Sequence, residues 1–434
     1  MANISSSTNT KTKIDQTKNY NGALAVLASL FFIWALVTNV NDILIPHLKK
    51  ACDLSDFQSS LVQFAFFGAY FVMSLPSGWV LKKIGYKKGI LLGLAIMFVG
   101  SLVFIPAAST RIYGFFLAGL FILGSGITLL QVAANPYVAL LGKPETASSR
   151  LSFTQAINSL GASVGPYVGG LLILSGIEYS AEQWNALSDA QKLAFQISEA
   201  RSVILPYAAL AAILVLIGIL IFFSNLPSIE AEDDDEPASA DVAQSTKTSV
   251  WQFSHLSLGV LAIFLYVGAE VSIGSFLIKF AKLPQIAGLG ELDAKNFVSF
   301  YMLFAMIGRF LGAALLTKVN PRIWLGLNGL AVIALLAFAI TGSGYTALWG
   351  IAVVGFCNAT MFPTIFTLGI DGLGKFTKSG SSFLIMAIFG GAIIPPIMGL
   401  VSDWQGDIQI AFVVPLICYA YIAYYGFFGS KLKA

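Results

Sequence analysis

The sequence predicts an all-α membrane protein of twelve transmembrane helices arranged as two six-helix pseudo-repeats. Three observations predict it. Of 434 residues, 57% are hydrophobic and only 11% charged, with a mean hydropathy of +0.80. Apolar runs such as Gly22 to Ile45 and Ser202 to Phe223 reach the about 20 residues that a helix needs to cross the roughly 30 Å hydrocarbon layer. A proline motif then recurs at similar places in the two halves. This composition excludes a soluble enzyme, a nucleic-acid binder and a disulfide scaffold.

The first twenty residues are polar, carry Lys11, Lys13 and Lys18, and lack the short apolar core and small-residue cleavage site of a secretory signal. Residues 1–20 therefore read as a disordered cytoplasmic tail. Apolar runs between polar punctuation then give spans at about 22–47, 57–81, 88–107, 112–141, 150–175, 202–224, 254–281, 295–317, 322–341, 345–370, 379–402 and 408–429. Pro76, Pro136, Pro166, Pro363, Pro395 and Pro396 fall inside these runs. They would break a soluble helix, but neighbouring helices in a bundle can satisfy the backbone groups they free.

Lysine and arginine set the orientation, because short basic loops stay on the cytoplasmic side. With both termini inside, the cytoplasmic segments hold sixteen of the 25 basic residues, among them Lys82, Lys83, Lys87, Lys88, Lys143, Lys375 and Lys378; the outer segments hold eight, and Arg309 lies within a span. The two-to-one ratio supports an even number of spans with both termini inside, and the expected setting is a bacterial-type inner membrane.

Between the sixth and seventh spans, residues 225–253 carry Glu230, Glu232, Asp233, Asp234, Asp235 and Glu236, followed by Pro, Ala and Ser. Such a segment reads as an acidic cytoplasmic tether between an N-terminal bundle, 21–224, and a C-terminal bundle, 254–430. It lacks the alternating ligand spacing and turn glycine of a calcium loop. The halves resemble each other: Pro136-Tyr-Val-Ala-Leu-Leu-Gly142 matches Pro363-Thr-Ile-Phe-Thr-Leu-Gly369 at an offset of 227, and Phe153, Gly161, Pro166 and Gly169 match Phe383, Gly391, Pro396 and Gly399 at 230. A parallel repeat of this kind places a binding site near the bilayer midplane and moves by rocking one half against the other.

Polar residues inside the spans are costly, so they are the candidates for chemistry. Asp42 lies in the first span with Thr38 and Asn39 on its face, through i,i+4 and i,i+3 spacing. Glu270 is midway along the seventh span, at an offset of 228 from Asp42. Either carboxylate, removed from water, can exchange a proton near neutral pH or stay charged beside a sodium ion; a structural pairing of Glu270 with Lys279 is the competing reading. Gln131 and Asn135 sit one turn apart on the fourth span, and Gln155, Asn158 and Ser159 share a face of the fifth. Amides and hydroxyls both donate and accept, as a polyhydroxylated ligand does. Asn358 is the repeat counterpart of Gln131, whereas Gln155 and Asn158 map onto Ile385 and Ile388, so the first half holds the more polar midplane. Interhelical bonding is the alternative role for each amide.

Trp34, Phe66, Phe67, Tyr70, Tyr266, Phe362 and Phe389 lie at similar depth and suit either a sugar face or core packing, with Phe362 taken as a ligand contact. The ladder Gly161, Gly165, Gly169 and the pair Gly308, Gly312 have spacing that lets helices approach closely. Cys52, Cys357 and Cys418 form no ligand-spaced set, and His47 and His255 sit at span ends, so no metal or cofactor is expected. No Gly-x4-Gly-Lys-Ser/Thr phosphate loop occurs, which leaves an ion gradient or uniport as the driving force.

At Asn39-Val-Asn-Asp-Ile-Leu-Ile-Pro46, Ala133-Ala-Asn-Pro136, Phe153-Thr-Gln-Ala-Ile-Asn158, Gly308-Arg309-Phe310, Pro363-Thr-Ile-Phe366 and Gly380-Ser-Ser-Phe383, the chain resembles the fucose-proton symporter branch of the major facilitator superfamily, from Phe31 to Phe428. The resemblance implies the major facilitator fold, with Asp42 a central protonatable residue, Asn39 and Gln155 in contact with sugar, and a Lys-rich 2–3 loop, Gly78 to Lys88, in place of the common gating motif. It also implies that a carboxylate has moved: the fucose symporter has glutamate at the position of Gln131 and glutamine at that of Glu270. Gln131 with Glu270 looks instead like the glucose/galactose and N-acetylglucosamine transporters of the branch, some of whose relatives use sodium.

The expectation is a symporter importing a hexose or N-acetylhexosamine, not an enzyme. Asp42 and Glu270 are the coupling carboxylates, proton-linked with sodium as alternative, and Asn39, Thr38, Gln131, Asn135, Gln155, Asn158, Asn358 and Phe362 bind the sugar. An L-fucose-proton symporter, a non-transporting sugar sensor and a drug exporter are the competing functions.

Overall fold

The computed structural model describes residues 20–52, 56–173, 183, 186–224, 226–227 and 248–432. The expected tail and most of the expected acidic tether lie outside the described residues. All regular structure among the described residues is helical. Nine of these helices are long and apolar enough to cross a membrane.

The first span is Asn21–Cys52. The expected second and third spans run as one kinked stretch, Asp56–Thr110, because Gly85 turns the chain at φ 76° and ψ 174°, a conformation that a side chain would oppose. The fourth and fifth are Tyr113–Leu140 and Ala147–Ile173. The sixth, Ile204–Phe223, is preceded by a helix that hydropathy does not reveal, Asp189–Ser202. Ser188 caps it: its hydroxyl accepts from Gln191 N at 3.3 Å while Gln191 Oε1 accepts from Ser188 N at 2.9 Å.

Ser254–Ala281, Glu291–Leu315 and Pro321–Thr341 are the seventh to ninth spans. The tenth is broken into Gly344–Asn358 and Met361–Ile370, and the eleventh into Thr377–Met386 and Gly390–Gln405, with a short turn, Ala387–Phe389, between them. Ile410–Gly429 is the twelfth. Broken spans at mid-membrane are tolerated because protein, not lipid, surrounds the freed backbone.

Packing repeats with the sequence. Spans 1 and 5, 2 and 4, and 3 and 6 pair in the first half; 7 and 11, 8 and 10, and 9 and 12 pair in the second. Glycines permit the closest approaches. A Cβ at Gly161 would collide with the Phe32 carbonyl of the first span, and one at Gly390 with the Phe264 carbonyl of the seventh. Gly308 and Gly312 likewise lie against Phe356 and Thr360 of the tenth span. Between spans 3 and 6, Phe104 stacks on Tyr207 with centroids 3.8 Å apart.

Candidate functional site

The two motif prolines shape the midplane. Proline has no N–H, so Pro136 leaves the Val132 carbonyl without its helical donor and Pro363 does the same to Ala359. Neither carbonyl stays unpaired. Ser381 of the eleventh span donates to Val132 O at 3.1 Å, and Arg309 of the eighth donates through Nε to Ala359 O at 3.3 Å. The first bond crosses between the halves. Arg309 crosses as well, since its Nη1 donates to the Ser159 hydroxyl on the fifth span.

Around the break in the tenth span sits a buried polar cluster. The Asn358 amide donates to Tyr301 Oη at 2.8 Å, and Tyr266 Oη donates to the Asn358 backbone carbonyl at 3.0 Å. Glu270 lies one turn along from Tyr266 and interacts electrostatically with that phenol and with Arg309. Tyr419 enters the same cluster beside Asn358. Lys279, the competing partner for Glu270, lies instead over the Phe276 ring at 5.1 Å.

The first half holds a matching pair. Gln131 donates to Tyr70 Oη at 2.7 Å, both side chains buried. Tyr70 is on the second span and Tyr301 on the eighth, so an amide–phenol pair recurs in each half. Asn158 donates to the Phe31 carbonyl at 2.8 Å, tying the fifth span to the first, and Thr38 returns its hydroxyl to Trp34 O at 2.9 Å. Gln155 is buried, and its carbonyl accepts from Ser159 at 3.1 Å. Asn135 is 0% exposed, and neither polar atom of its amide has a partner. Phe362 stacks on Phe366 with centroids 6.1 Å apart. Asn39 and Asp42 belong to the first helix, but their side chains lie outside the described residues.

Contacts between the halves extend from this layer to the face that carries the linker. Ser148 and Thr367 hydroxyls meet at 2.6 Å, and Ser149 donates to Ala313 O at 2.6 Å. Lys378 lies 5.6 Å from the Tyr86 ring centroid, and Gly78 touches Ser382. Phe71 and Phe389 pack at 5.0 Å nearer the midplane. The linker face is therefore sealed. His255 Nε2 bonds Asp371 O at 2.9 Å within that face, a structural position. Among the described residues no group of histidine, cysteine and acidic side chains could hold a metal.

Sequence reasoning thus found the amides but missed what binds them. Tyr70 stood only among the aromatics of similar depth, Tyr301 was not singled out, and Arg309 stood as a charge within a span and as part of the Gly308-Arg309-Phe310 motif. Its position was the available signal, because an intramembrane arginine needs acceptors.

A family model described as the Major Facilitator Superfamily matches residues 26–396. A glucose/galactose transporter of Brucella abortus is 48% identical over 420 residues, 97% of this chain and 97% of its own. The L-fucose-proton symporter of Escherichia coli is 36% identical over 436 residues, 99% of each chain. The crystal structure of the transporter FucP in the outward conformation superposes with a TM-score of 0.85 at 36% identity, covering 94% of this chain and 99% of that one. The chain belongs to the Major Facilitator Superfamily, in the branch that contains these transporters, and it is a membrane transporter rather than an enzyme.

Proposed function

We propose that this protein imports a hexose or N-acetylhexosamine, of the glucose, galactose or N-acetylglucosamine type, by proton symport with alternating access in a bacterial-type inner membrane. The 48% identity to a glucose/galactose transporter along almost the whole chain supports the substrate class. Amides Gln131, Asn135, Gln155, Asn158 and Asn358, with Thr38 and Asn39, bind sugar hydroxyls, and Phe362 supplies an apolar face. Both termini lie in the cytoplasm, in keeping with the basic residues on the linker face, and Asp42 contributes the second coupling carboxylate.

One observation carries the coupling: the charge on Glu270 reaches the other half through Arg309. A backbone carbonyl only accepts, so the single Tyr266 proton is committed to Asn358 O. Glu270, one turn from that phenol and within the field of Arg309, is the side chain of this layer that can carry a proton. Loss of that proton turns Tyr266 toward the carboxylate and draws Arg309 away from Ser159, which loosens the contact between halves. A sodium ion at Glu270 would be repelled by the charge of Arg309, so the proton fits this site better.

The test is uptake of radiolabelled glucose, galactose, N-acetylglucosamine and L-fucose into proteoliposomes under separately imposed proton and sodium gradients. Uptake of one of the first three sugars driven by the proton gradient alone is the expected result. Uptake that needs sodium would overturn the coupling, preference for fucose the substrate class, and absence of both uptake and counterflow the transport reading itself.

A further inference from the structure

Three consecutive residues at the break in the tenth span are each held by a different neighbour. Tyr266 of the seventh span donates to Asn358 O at 3.0 Å, Arg309 of the eighth donates to Ala359 O at 3.3 Å, and the Trp324 indole Nε1 of the ninth donates to the Thr360 hydroxyl at 2.8 Å. The first two bonds belong to the site described above. The third comes from a side chain outside it.

Thr360 is where the span departs from a helix: its backbone stands at φ −107° and ψ 2°, and the residue is buried. Its side chain is gripped from two directions. The hydroxyl accepts from Trp324, and the methyl lies against the eighth span at Gly312, where any Cβ would collide with Thr360 Cγ2. The anchor is itself fixed. Asn320 caps the ninth span by accepting from Arg322 N at 3.0 Å, Pro321 opens the helix, and Asn328 donates to Trp324 O at 2.8 Å.

The first half lacks this arrangement. At the offset of 227 that relates the motif prolines, Ala133 stands at the position of Thr360, and Tyr113–Leu140 runs as one helix. Hydroxyl and break therefore occur together in one half only. A peptide unit is planar, so the Ala359 carbonyl turns with the backbone nitrogen of Thr360. Holding Thr360 thus aims the carbonyl that Arg309 uses, and Arg309 in turn reaches Ser159 in the other half. The route ends at a contact that rocking must break and remake.

We propose that Trp324 is a positioning residue for transport: by holding Thr360 it aims the Ala359 carbonyl at Arg309 and so sets the rate of rocking without touching the sugar. This rests on the sugar-transport reading above.

Trp324→Phe, Thr360→Val and Thr360→Ser are compared with the unaltered protein in proteoliposomes, using radiolabelled D-glucose, galactose and N-acetylglucosamine for counterflow rate and equilibrium Kd. Trp324→Phe and Thr360→Val each remove one end of the bond and should each slow counterflow about fivefold, as expected for one lost hydrogen bond. The double variant should be no slower than either, because the bond is lost only once. Thr360→Ser keeps the acceptor and should stay within about twofold of the parent rate. Kd should also stay within about twofold throughout, since Asn358 retains its bond to Tyr301. Ser159→Ala, in the opposite half, should change the parent rate more than it changes that of Trp324→Phe, a coupling that a simple tie between the ninth and tenth spans would not produce.

A parental rate in Trp324→Phe, multiplied losses in the double variant, equal losses in Thr360→Ser and Thr360→Val, or an equal effect of Ser159→Ala in both backgrounds would each overturn the proposal. So would a weakened Kd at unchanged rate, which would place Trp324 among the groups that bind sugar. Should Trp324→Phe fail to fold, the Thr360 pair makes the same comparison with the indole left in place, and Thr360→Val replaces Trp324→Phe as the background for Ser159→Ala. Absence of counterflow of all three sugars by the unaltered protein would instead remove the transport reading, and the role of Trp324 with it.

Discussion

Ser381 donates to the Val132 carbonyl, the group that Pro136 leaves without a helical donor. The proline that would be a defect in an isolated helix thereby creates an acceptor at the contact between halves. The same device recurs at Pro363, Ala359 and Arg309. A rocking transporter needs contacts that hold one state and release in another, and a freed carbonyl offers one with no side chain in the way.

Replacing Ser381 by Ala removes the donor and leaves a buried carbonyl unpaired, a cost of about 1–3 kcal/mol to the sealed state. The linker face should then open more often. With Ala313→Cys as reporter, labelling by a membrane-impermeant thiol reagent supplied at that face should quicken at least fivefold, by the roughly 1.4 kcal/mol per tenfold relation. Cys357 and Cys418 are buried, and the reporter is placed on a Cys52→Ala background so that the third cysteine does not react. An unchanged rate would show that the seal does not depend on this bond.

Glu270→Gln keeps the shape and hydrogen-bonding reach of the side chain but cannot exchange a proton. Uphill uptake driven by a proton gradient should be lost. Counterflow, which needs sugar binding and rocking but no net proton movement, should persist. Retention of gradient-driven uptake would move the coupling role to Asp42 alone.

Arg309 makes its contacts to Ser159 and Ala359 O with two different nitrogens of one planar group. Lysine keeps the charge but concentrates its donors at a single point and cannot span both acceptors. Arg309→Lys should therefore slow transport by about tenfold or more, as expected for loss of a charge-assisted bond of at least about 1.5 kcal/mol, with the sugar Kd changed much less. A variant that matches the parent in rate would reduce Arg309 to a source of charge.

Much of the fold was legible. Apolar runs located the twelve spans, the motif prolines related the halves, and the spacing of Gly161, Gly308 and Gly312 marked close helix approaches that the packing bears out. The faces were not legible. A span that is apolar all round gives no stripe to say which side meets lipid and which a neighbour, so the phenol partners of Gln131 and Asn358 stayed hidden among 15 tyrosines and 34 phenylalanines. Arg309 could be recognised as needing acceptors, but not that one of them lies across the interface, 150 residues away along the chain. The helix Asp189–Ser202 was missed for another reason: it is too polar for a hydropathy search, although Ser188 and Gln191 announce its start.

The Gln131–Tyr70 bond separates two roles for the central amide. Both groups are buried and the bond is 2.7 Å long, so each single variant, Gln131→Leu or Tyr70→Phe, leaves a polar atom unpaired and should lower thermal stability. The double variant removes both atoms and should lose less than the sum, with a coupling of about 1 kcal/mol or more. Sugar binding should respond differently. A sugar hydroxyl that reaches Gln131 must compete with Tyr70 for the amide, so Tyr70→Phe should tighten binding by up to about fivefold, the same roughly 1 kcal/mol expressed as an equilibrium, while Gln131→Leu weakens it. Equilibrium binding of radiolabelled sugar to the purified protein measures both. Equal weakening in the two single variants would make Tyr70 a ligand in its own right, and no change in either would leave Gln131 as a tie between the second and fourth spans.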